Sequence, residues 1–360
     1  MAENYDLRTA GAASIAAPDL PYAPPVPRHY RPKIGLIGCG GITVHHLKAY
    51  QDAGWEVAAF HNRSPEAAER RRAEFYPDAR VCLSVEELLA IPDIDVLDIA
   101  THPGVRSPLI EQGIAAGKHI LSQKPFVLDL AEGQRLAALA KTAGVRLAVN
   151  QNGRWAPYFS WMRHAVRAGL IGDIGSVHIT LTWDHTWTAG TAFEKIHHLV
   201  LSDFGIHWFD AACSFFGKVR AKSVSTALCQ APSQPITPPL IATSVVQFEQ
   251  GMATLSFNGC TRIDAQESCT IVGTKGTLRA SGDICGISSV SLATAEGTAR
   301  AELTGTWFPD GFRGAMGELL CAIEDAREPE NSAEENLRSL AVCFAAMRSA
   351  DQGRMIQLCD

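Results

Sequence analysis

The stretch KIGLIGCGGIT (residues 33–43) decides the fold of the first half of the chain. It reads as a buried strand, a glycine-rich turn and a helix start, the context in which a G-x-G-x-x-G pattern is informative. Gly38 permits the tight turn, and Gly40 lets the backbone approach a pyrophosphate held at the helix N-terminus. Thr43 stands where glycine or alanine is usual, which weakens the match. We predict dinucleotide contacts for Gly38, Cys39, Gly40, Gly41 and Ile42; a glycine turn without a ligand is the alternative.

Strands and helices alternate after this loop. Apolar strands are predicted at 33–38, 56–61, 94–101, 118–123 and 145–150. Ser84 and Glu87, three residues apart, mark a capped helix start between two of them. Alternation of this kind predicts right-handed parallel crossovers. We therefore predict an α/β chain whose residues 32–150 form a Rossmann domain, a doubly wound parallel sheet.

The pattern changes after residue 150. Helices are predicted at about 157–168, 202–216, 312–326 and 333–350, and strands at 176–184, 219–228, 242–250, 251–259, 267–274, 276–281, 287–294 and 299–305. The strands follow one another closely, and segments such as Gly273-Thr274-Lys275-Gly276 resemble hairpin turns. Residues 151–360 are therefore predicted to form an α+β domain with a large, mainly antiparallel open sheet.

Residues 1–31 differ from the rest of the chain. Six prolines lie between positions 18 and 32, and such a segment favours extended geometry without a core of its own. We predict a proline-rich N-terminal arm. It is either a loose tail or an arm that lies across the domain or a partner subunit.

Composition excludes several classes of protein. The 360 residues are 46% hydrophobic and 19% charged, which is typical of a folded globular chain. A net charge of −6 argues against a nucleic-acid partner. No apolar run approaches the roughly 18 to 20 residues that cross a bilayer, so no membrane contact is expected. Ten scattered cysteines without C-x-x-C spacing, and no recognisable export signal, predict free thiols and a cytoplasmic protein.

The end of the second predicted strand bears on the cofactor. An acidic residue there would hold the adenosine ribose of NAD, but the sequence reads His61-Asn62-Arg63-Ser64. Asn62 can still bond a ribose hydroxyl, and Arg63 with Ser64 can accept the additional phosphate of NADP. We expect an NAD(P) cofactor with NADP slightly favoured. An Arg63 that stacks on adenine would serve either cofactor.

Two further motifs resemble those of a known family. Gln123-Lys124-Pro125 closes the fifth predicted strand, and DFGIHWFD (residues 203–210) opens a helix in the second domain. In this order, after the glycine loop, they resemble the Gfo/Idh/MocA oxidoreductases, which include glucose–fructose oxidoreductase and inositol dehydrogenase. Asn152-Gly153-Arg154-Trp155 and the hairpin at 273–277 are also similar to the family pattern. The resemblance runs from about residue 33 to 350.

The resemblance implies an NAD(P)-dependent oxidoreductase that transfers a hydride between nicotinamide and a secondary alcohol of a sugar, polyol or cyclitol. It implies that Lys124, Asp203 and His207 are catalytic. Further cofactor contacts are implied for Thr101, His102, Gln123, Lys124 and Asn152. It also implies a homo-oligomer, a dimer or tetramer, that forms through the C-terminal sheet.

Three positions depart from the family pattern. Gln123 stands where the family usually has glutamate, Arg106 where histidine is frequent, and Asn62 where an acid is usual. These departures affect the expected ribose contacts and the preference for NAD. They leave the implied catalytic lysine and histidine in place.

The residue types suit alcohol oxidation. A histidine such as His207 can accept the proton near neutral pH. Asp203, four residues earlier, can orient the imidazole or hold a substrate hydroxyl, and Lys124 can hydrogen-bond the reacting oxygen. The alternatives are a helix-capping aspartate, a structural histidine and a surface lysine.

Aromatic and polar residues beyond the domain boundary are predicted to contact the substrate. Sugar C–H faces stack on aromatic rings while their hydroxyls bond polar groups. The set comprises Arg154, Trp155, Asp184, His185 and Trp187, together with Lys124, Asp203 and His207. Aromatic residues of a core or subunit contact are the alternative.

Other functions stay open at this point. A cofactor-sensing regulatory protein of the same fold would bind the dinucleotide without turnover, and a reductase of a non-sugar carbonyl or a cyclic diol would share the site. A zinc cluster of His197, His198, Asp203 and His207 is conceivable, but H-E-x-x-H is absent and we expect no metal.

Overall fold

The computed structural model describes residues 13–232 and 234–358. The first twelve residues of the predicted arm lie outside the described residues, as does Cys359. Two sheets, one parallel and one mainly antiparallel, organise the described chain. The predicted fold class is therefore confirmed.

The first sheet is parallel and has six strands. Across the sheet they lie in the order Arg80–Cys82, Glu56–His61, Lys33–Ile37, Ile94–Ile99, His119–Ser122 and Leu147–Val149. The helices between them are Thr43–Asp52, Pro65–Phe75, Val85–Leu89, Arg106–Ala115 and Leu130–Ala143, and a 3₁₀ turn spans Pro103–Val105. Five of the six strands are those predicted. The edge strand at 80–82 is too short to give a periodic pattern.

Burial on both faces explains the apolar strands of this sheet. Ile34 and Leu36 face one core cluster while Ile37, next in sequence, faces the other, and all three are at most 1% exposed. Each such side chain stabilises the fold by about 1.5–3 kcal/mol relative to an exposed one.

The second sheet has ten strands in one open layer. Its order is Ser14–Ile15, Gly297–Ala301, Gly286–Thr294, Gly276–Asp283, Gln266–Gly273, Ile174–Thr182, Met252–Asn258, Ile241–Phe248, Ala221–Cys229 and Ile356–Gln357. All neighbours are antiparallel except two parallel pairs, 14–15 with 297–301 and 252–258 with 174–182. Hairpin turns follow Phe248 and Gly273, and the second of them is the predicted Gly273-Thr274-Lys275-Gly276 turn.

Helices cover one side of this sheet and reach the first. They are Pro157–Arg167, Ile206–Phe216, Trp307–Glu324 and Ala333–Gln352, with a π-helical turn at Val200–Gly205 and 3₁₀ turns at Asn152–Trp155, Thr186–Thr188 and Ala192–Lys195. The predicted boundary at residue 150 groups the Trp307–Glu324 helix with the second sheet. Its Phe312, Met316 and Leu320 nevertheless pack in one core cluster with Leu36 of the first sheet. This helix therefore locks the two halves together.

The described part of the arm lies across its own chain. Ser14–Ile15 pairs with the edge strand Gly297–Ala301. The Glu324 carboxylate accepts the backbone N–H groups of Arg28, His29 and Tyr30 at 2.6–2.9 Å. Burial opposes ionisation of Glu324, but these three donors outweigh it and lower its pKa to about 2. The described residues of the arm therefore lie across the domain and do not form a loose tail.

The described residues bear on two expectations from composition, namely the lack of a membrane-spanning segment and the free thiols. No helix within residues 13–232 and 234–358 is long and apolar enough to span a membrane. Each of the nine cysteines in these ranges is free.

The glycine loop (residues 38–43) connects the central strand to the Thr43–Asp52 helix. Gly38 has φ +97°, and a Cβ there would lie 2.8 Å from the carbonyl carbon and oxygen of Ala100. At Gly40 and Gly41 a Cβ would meet nothing within 4 Å. The Thr43 hydroxyl donates to the Gly40 carbonyl at 2.6 Å, so the unusual third residue of the motif closes the loop itself. Glycine is required at position 38 by the backbone conformation and the close approach of Ala100, whereas glycine at position 40 leaves open space beside the loop.

We expect Gly40→Val to abolish dinucleotide binding and to leave the melting temperature unchanged, because the added side chain fills only the open space. Calorimetric titration with NADH and NADPH and a thermal melt measure the two effects. Gly38→Val is the contrasting variant: its strained φ and backbone clash should cost at least about 1 kcal/mol of folding stability. Wild-type affinity in a folded Gly40→Val protein would contradict a dinucleotide at this loop.

Candidate active site

The carboxyl edge of the parallel sheet offers a cradle for a dinucleotide. Gly40 and Gly41 leave open space at the start of a helix, where unpaired N–H groups favour a phosphate. The hydroxyl of Thr101, at the end of the next strand, is buried without a hydrogen-bond partner among the described residues. Ile42 and His102 are exposed around the same edge. An open cradle and an unsatisfied hydroxyl fit a bound pyrophosphate.

The predicted adenosine-ribose residues border this cradle. Asn62 Oδ1 accepts the Cys39 backbone N–H at 3.1 Å, and its Nδ2 donates to the Ser64 carbonyl at 3.1 Å. The Ser64 hydroxyl donates to Glu66 at 2.6 Å, and Arg63 is exposed. Asn62 thus ties the strand end to the glycine loop.

Arg71 is a cation at the cradle that the sequence analysis missed. It lies on the Pro65–Phe75 helix, pairs with Glu74 at 2.8 Å, and places Nη2 3.5 Å from the Gly40 carbonyl. Its Nε is buried and has no hydrogen-bond partner among the described residues. The run of three arginines at 70–72 was the available signal, but only the fold shows which of them faces the loop.

Lys124 bridges the two halves of the molecule. Its ammonium donates to the backbone carbonyl of Asp203 at 2.6 Å and to the Asp203 carboxylate at 3.3 Å. The two side chains are 17% and 24% exposed, so the pair is shielded but still open to a ligand. Two of the three predicted catalytic residues therefore meet.

A buried arginine organises the loop that carries Lys124. The Arg106 guanidinium donates to the carbonyls of Gln123, Pro125 and Phe126, and to that of Thr101 at the neighbouring strand end. Burial lowers its pKa to about 9. The sequence analysis noted Arg106 only as a departure from the family pattern. In the structure it fixes two strand ends relative to each other.

The Gln123 side chain turns inward. Its Oε1 accepts the Lys124 backbone N–H at 2.6 Å, which identifies the other end of the amide as the nitrogen that meets His46 Nε2 at 3.0 Å. His46 Nε2 must then accept, so Nδ1 carries the proton toward Asp98 at 2.7 Å. Asn150 also donates to His46 at 3.2 Å. Because both ends of its amide are engaged, the predicted cofactor contact of the Gln123 side chain does not fit this placement.

Asp203 lies in the π-helical turn Val200–Gly205, which runs directly into the Ile206–Phe216 helix. A Cβ on Gly205 would lie 2.7 Å from the Val200 carbonyl, so the wide turn requires glycine there. Asp203 makes no side-chain cap to the helix. The helix-capping alternative is therefore not what the structure shows, and the carboxylate faces Lys124 instead. Such turns are frequent at functional sites.

His207 follows one turn later. It is half-buried, its Nδ1 has no hydrogen-bond partner among the described residues, and its ring meets Trp307 edge-on at 5.6 Å between centroids. Burial, and then the nearby Lys124 charge, lower its pKa well below 6.5. At neutral pH the imidazole is unprotonated and can accept a proton. No hydrogen bond joins it to Asp203 in the described chain, so the expected orienting role of Asp203 is not seen.

His185 faces the same charges. It is 2% exposed, and both ring nitrogens lack partners among the described residues. Burial lowers its pKa to about 4, with Asp203 opposing and Lys124 reinforcing the effect. Trp187, 60% exposed, stands edge-on to its ring at 5.3 Å. The neighbouring Asp184 instead caps its own turn by accepting from Thr186.

Three predicted contact residues lie behind the site. Arg154 is 6% exposed and forms a two-point ion pair with buried Asp210 at 2.6 and 2.8 Å. Trp155 is 3% exposed beneath the Arg163 guanidinium. Asn152 accepts from the Trp307 indole at 2.9 Å. These side chains are engaged in buried contacts with neighbouring helices and do not contact the Lys124–Asp203 pair in the described chain.

Comparisons with known proteins identify the family of this chain. Residues 32–151 match the GFO_IDH_MocA family model, described as an oxidoreductase family with an NAD-binding Rossmann fold, and residues 159–279 match the GFO/IDH/MocA C-terminal domain. The chain is 28% identical over 347 residues to D-apiose dehydrogenase of Paraburkholderia graminis, covering 91% of this chain and 89% of that protein. It is 26% identical over 333 residues to inositol 2-dehydrogenase of Rhizobium meliloti, covering 91% and 99%.

Solved structures share the fold. An oxidoreductase from Agrobacterium radiobacter in complex with NAD+, L-tartaric acid and magnesium matches with a TM-score of 0.81 at 21% identity, over 91% of this chain and 98% of that one. Aldose-aldose oxidoreductase from Caulobacter crescentus matches with a TM-score of 0.77 at 20% identity, over 91% and 100%. With both domains matched in order, the chain belongs to the Gfo/Idh/MocA family of oxidoreductases.

Proposed function

We propose that this chain is an NAD(P)-dependent dehydrogenase that acts on a secondary alcohol of a sugar, polyol or cyclitol. One observation carries the proposal: Lys124 and Asp203 meet where the two halves join, with an unprotonated His207 beside them. The named relatives support it, since one is an apiose dehydrogenase and another an inositol dehydrogenase.

The residues divide the work of alcohol oxidation. The glycine loop would hold the pyrophosphate of the dinucleotide, whose nicotinamide would supply the hydride chemistry. The Lys124 ammonium donates to the reacting oxygen and stabilises negative charge that develops on it. His207 accepts the hydroxyl proton, because burial and Lys124 keep its imidazole neutral. Asp203 fixes the Lys124 ammonium and can accept from a second hydroxyl.

A polyhydroxylated substrate suits the remaining surface. His185 has two unsatisfied ring nitrogens, one able to donate and one to accept, which matches a hydroxyl group. The exposed indole of Trp187 beside it offers an apolar face to sugar C–H groups. These contacts favour a compact ring with several hydroxyls over a simple alcohol.

We expect His207→Ala and Lys124→Ala each to lower kcat by about 10²- to 10⁴-fold, the usual effect of removing a positioned acid or base. Cofactor affinity should change far less, and the two effects should not add, since both residues act on one oxygen. His29→Ala is the matched control, because His29 is exposed on the N-terminal arm and bonds Glu324 through its backbone N–H, which the substitution keeps.

The pH profile separates the two roles in the same experiment. In wild type, kcat/KM for oxidation should fall only below pH 6.5, since the base form of His207 persists down to its lowered pKa. Lys124→Ala removes a charge that disfavours the imidazolium, so the acid limb should move to higher pH. His207→Ala should lose that limb. Near-normal turnover in His207→Ala would assign the base to another group.

We infer a slight preference for NADP over NAD. Asn62 replaces the usual acid, the exposed Arg63 follows it in the chain, and Arg71 reaches the Gly40 carbonyl of the glycine loop. Asn62→Asp should retain an oxygen that accepts the Cys39 N–H. The introduced carboxylate should repel the 2′-phosphate of NADP and can accept from the ribose hydroxyl of NAD.

The measurement is the ratio of kcat/KM for NADP to that for NAD. Asn62→Asp should lower this ratio at least about tenfold, equivalent to about 1.4 kcal/mol of lost discrimination. Arg71→Gln should lower it as well. Arg72→Gln is the matched control, since Arg72 pairs with Glu69 on the same helix. A wild type that strongly prefers NAD would overturn the inference.

We also propose a homo-oligomer through the bare face of the second sheet. Along Ile241–Phe248 every second residue is exposed, and Val245, Val272 and Met252 are 37–42% exposed apolar side chains on the sheet. Sedimentation velocity should give a dimer or tetramer, and Val245→Glu should dissociate it. A monomeric wild type would end this proposal.

The free thiols fit a cytoplasmic location, which we propose as well.

A further inference from the structure

A compact set of metal-ligating side chains lies outside the site just described. The Nε2 atoms of His197 and His198 each stand 2.8 Å from the same carboxylate oxygen of Asp351. One ligand atom from each of the three residues falls within 4.8 Å of the others. The histidines end the loop before the π-helical turn, and Asp351 lies in the last turn of the Ala333–Gln352 helix.

The backbone is shaped to bring both imidazoles to one point. Side chains of adjacent residues in extended chain point apart, yet these rings lie 3.8 Å apart between centroids, tilted by 41°. His198 adopts φ +49°, in the left-handed region that non-glycine residues rarely enter. Strain of this kind persists where the surroundings fix it and is frequent at ligand sites.

We propose that His197, His198 and Asp351 bind a divalent transition-metal ion, with zinc as the best match. Zinc accepts imidazole nitrogens at about 2.0–2.1 Å and carboxylate oxygens at about 2.0–2.2 Å, commonly in a tetrahedron. His197 and Asp351 are 65% and 45% exposed, which leaves room for a water molecule as the fourth ligand. Two imidazoles disfavour magnesium and calcium, which prefer oxygen ligands.

The two nitrogen–oxygen distances need only a small adjustment, and the two imidazole nitrogens lie no more than 4.8 Å apart. Ligand atoms around a zinc ion of this geometry are roughly 3.3 Å apart, so each nitrogen–oxygen pair must open by a few tenths of an ångström. Asp351 can supply this, since its half-exposed side chain lies near a helix end. His198, only 10% exposed, is the fixed member of the set.

The ion would brace the turn that carries Asp203. The Ser202 hydroxyl donates to the carbonyls of His197 and His198 at 3.0 and 3.2 Å, and the Ser202 backbone N–H donates to the His198 carbonyl. Fixing both histidines to Asp351 therefore ties the π-helical turn to the last helix. The role is structural, and metal binding does not depend on the proposed dehydrogenase activity.

The zinc cluster weighed from the sequence had other members. Asp203 faces Lys124 and His207 faces Trp307, so neither joins the two adjacent histidines. Asp351, 153 residues beyond His198, takes their place. The proposed site departs from the expectation that the chain holds no metal.

Calorimetric titration of the chelator-treated full chain with zinc chloride tests the proposal. We expect saturable binding of one ion per chain, and a visible absorption band when cobalt(II) replaces zinc. His198→Gln and Asp351→Asn should each weaken binding at least about tenfold, since even outer-shell changes cost 10- to 100-fold. His29→Gln and Asp325→Asn are matched controls away from the three ligands and should bind as wild type.

Folding of the variants is checked separately. His197→Ala changes an exposed side chain and should melt like the metal-free wild type while losing zinc affinity. Zinc should raise the melting temperature of wild type but not of His197→Ala. Equal zinc affinity in wild type and the three ligand variants, or the absence of saturable binding in wild type, would overturn the site.

Discussion

The contact between the Lys124 ammonium and Asp203 is the constraint on which the candidate active site depends. Lys124 ends a strand of the parallel sheet, and Asp203 lies on a turn that belongs to the second half. A partly exposed charge pair of this kind contributes at most about 1 kcal/mol to stability. Its importance is positional, since it brings the cofactor cradle, a charged donor and an unprotonated histidine to one place.

The departures from the family pattern are connected in the structure. Arg106 donates to the carbonyl of Gln123, and the Gln123 amide bonds both Lys124 and His46. A buried guanidinium without a carboxylate partner is costly unless all its directions are satisfied. Here the carbonyls of two strand ends accept from both terminal nitrogens, although Nε has no hydrogen-bond partner among the described residues, and these contacts hold the lysine loop in place. An amide in place of a glutamate accommodates this arrangement, because it can donate to His46 as well as accept from Lys124.

Much of the architecture could be predicted because its signals are local. Strand periodicity, glycine positions and capping residues placed the parallel sheet, and the fold class and family are confirmed. What could not be predicted depends on contacts between distant residues. Arg154 was predicted to contact the substrate, but its guanidinium forms a buried ion pair with the Asp210 carboxylate. The Trp307–Glu324 helix follows the second sheet in sequence yet packs on the first.

Local backbone conformation was the second feature of the site that could not be predicted from the sequence. Asp203 and His207 are four residues apart, which in an α-helix would place them on one face. The turn between them is π-helical, and Asp203 turns to Lys124 instead. Gly205 was the only local signal for that turn. His46 and Asp351 had no signal in the sequence, since their partners lie on other elements, and the run of arginines at 70–72 did not show which of the three faces the glycine loop.

Reduction of NADP or NAD, followed by the near-ultraviolet absorbance of the reduced nicotinamide, tests the central claim most directly. The purified chain is offered a panel of sugars, polyols and cyclitols with each cofactor, and simple alcohols serve as the control set. We expect cofactor reduction with at least one polyhydroxylated ring and none with the simple alcohols. Tight binding of the dinucleotide without reduction by any member of the panel would contradict it and would identify a cofactor sensor.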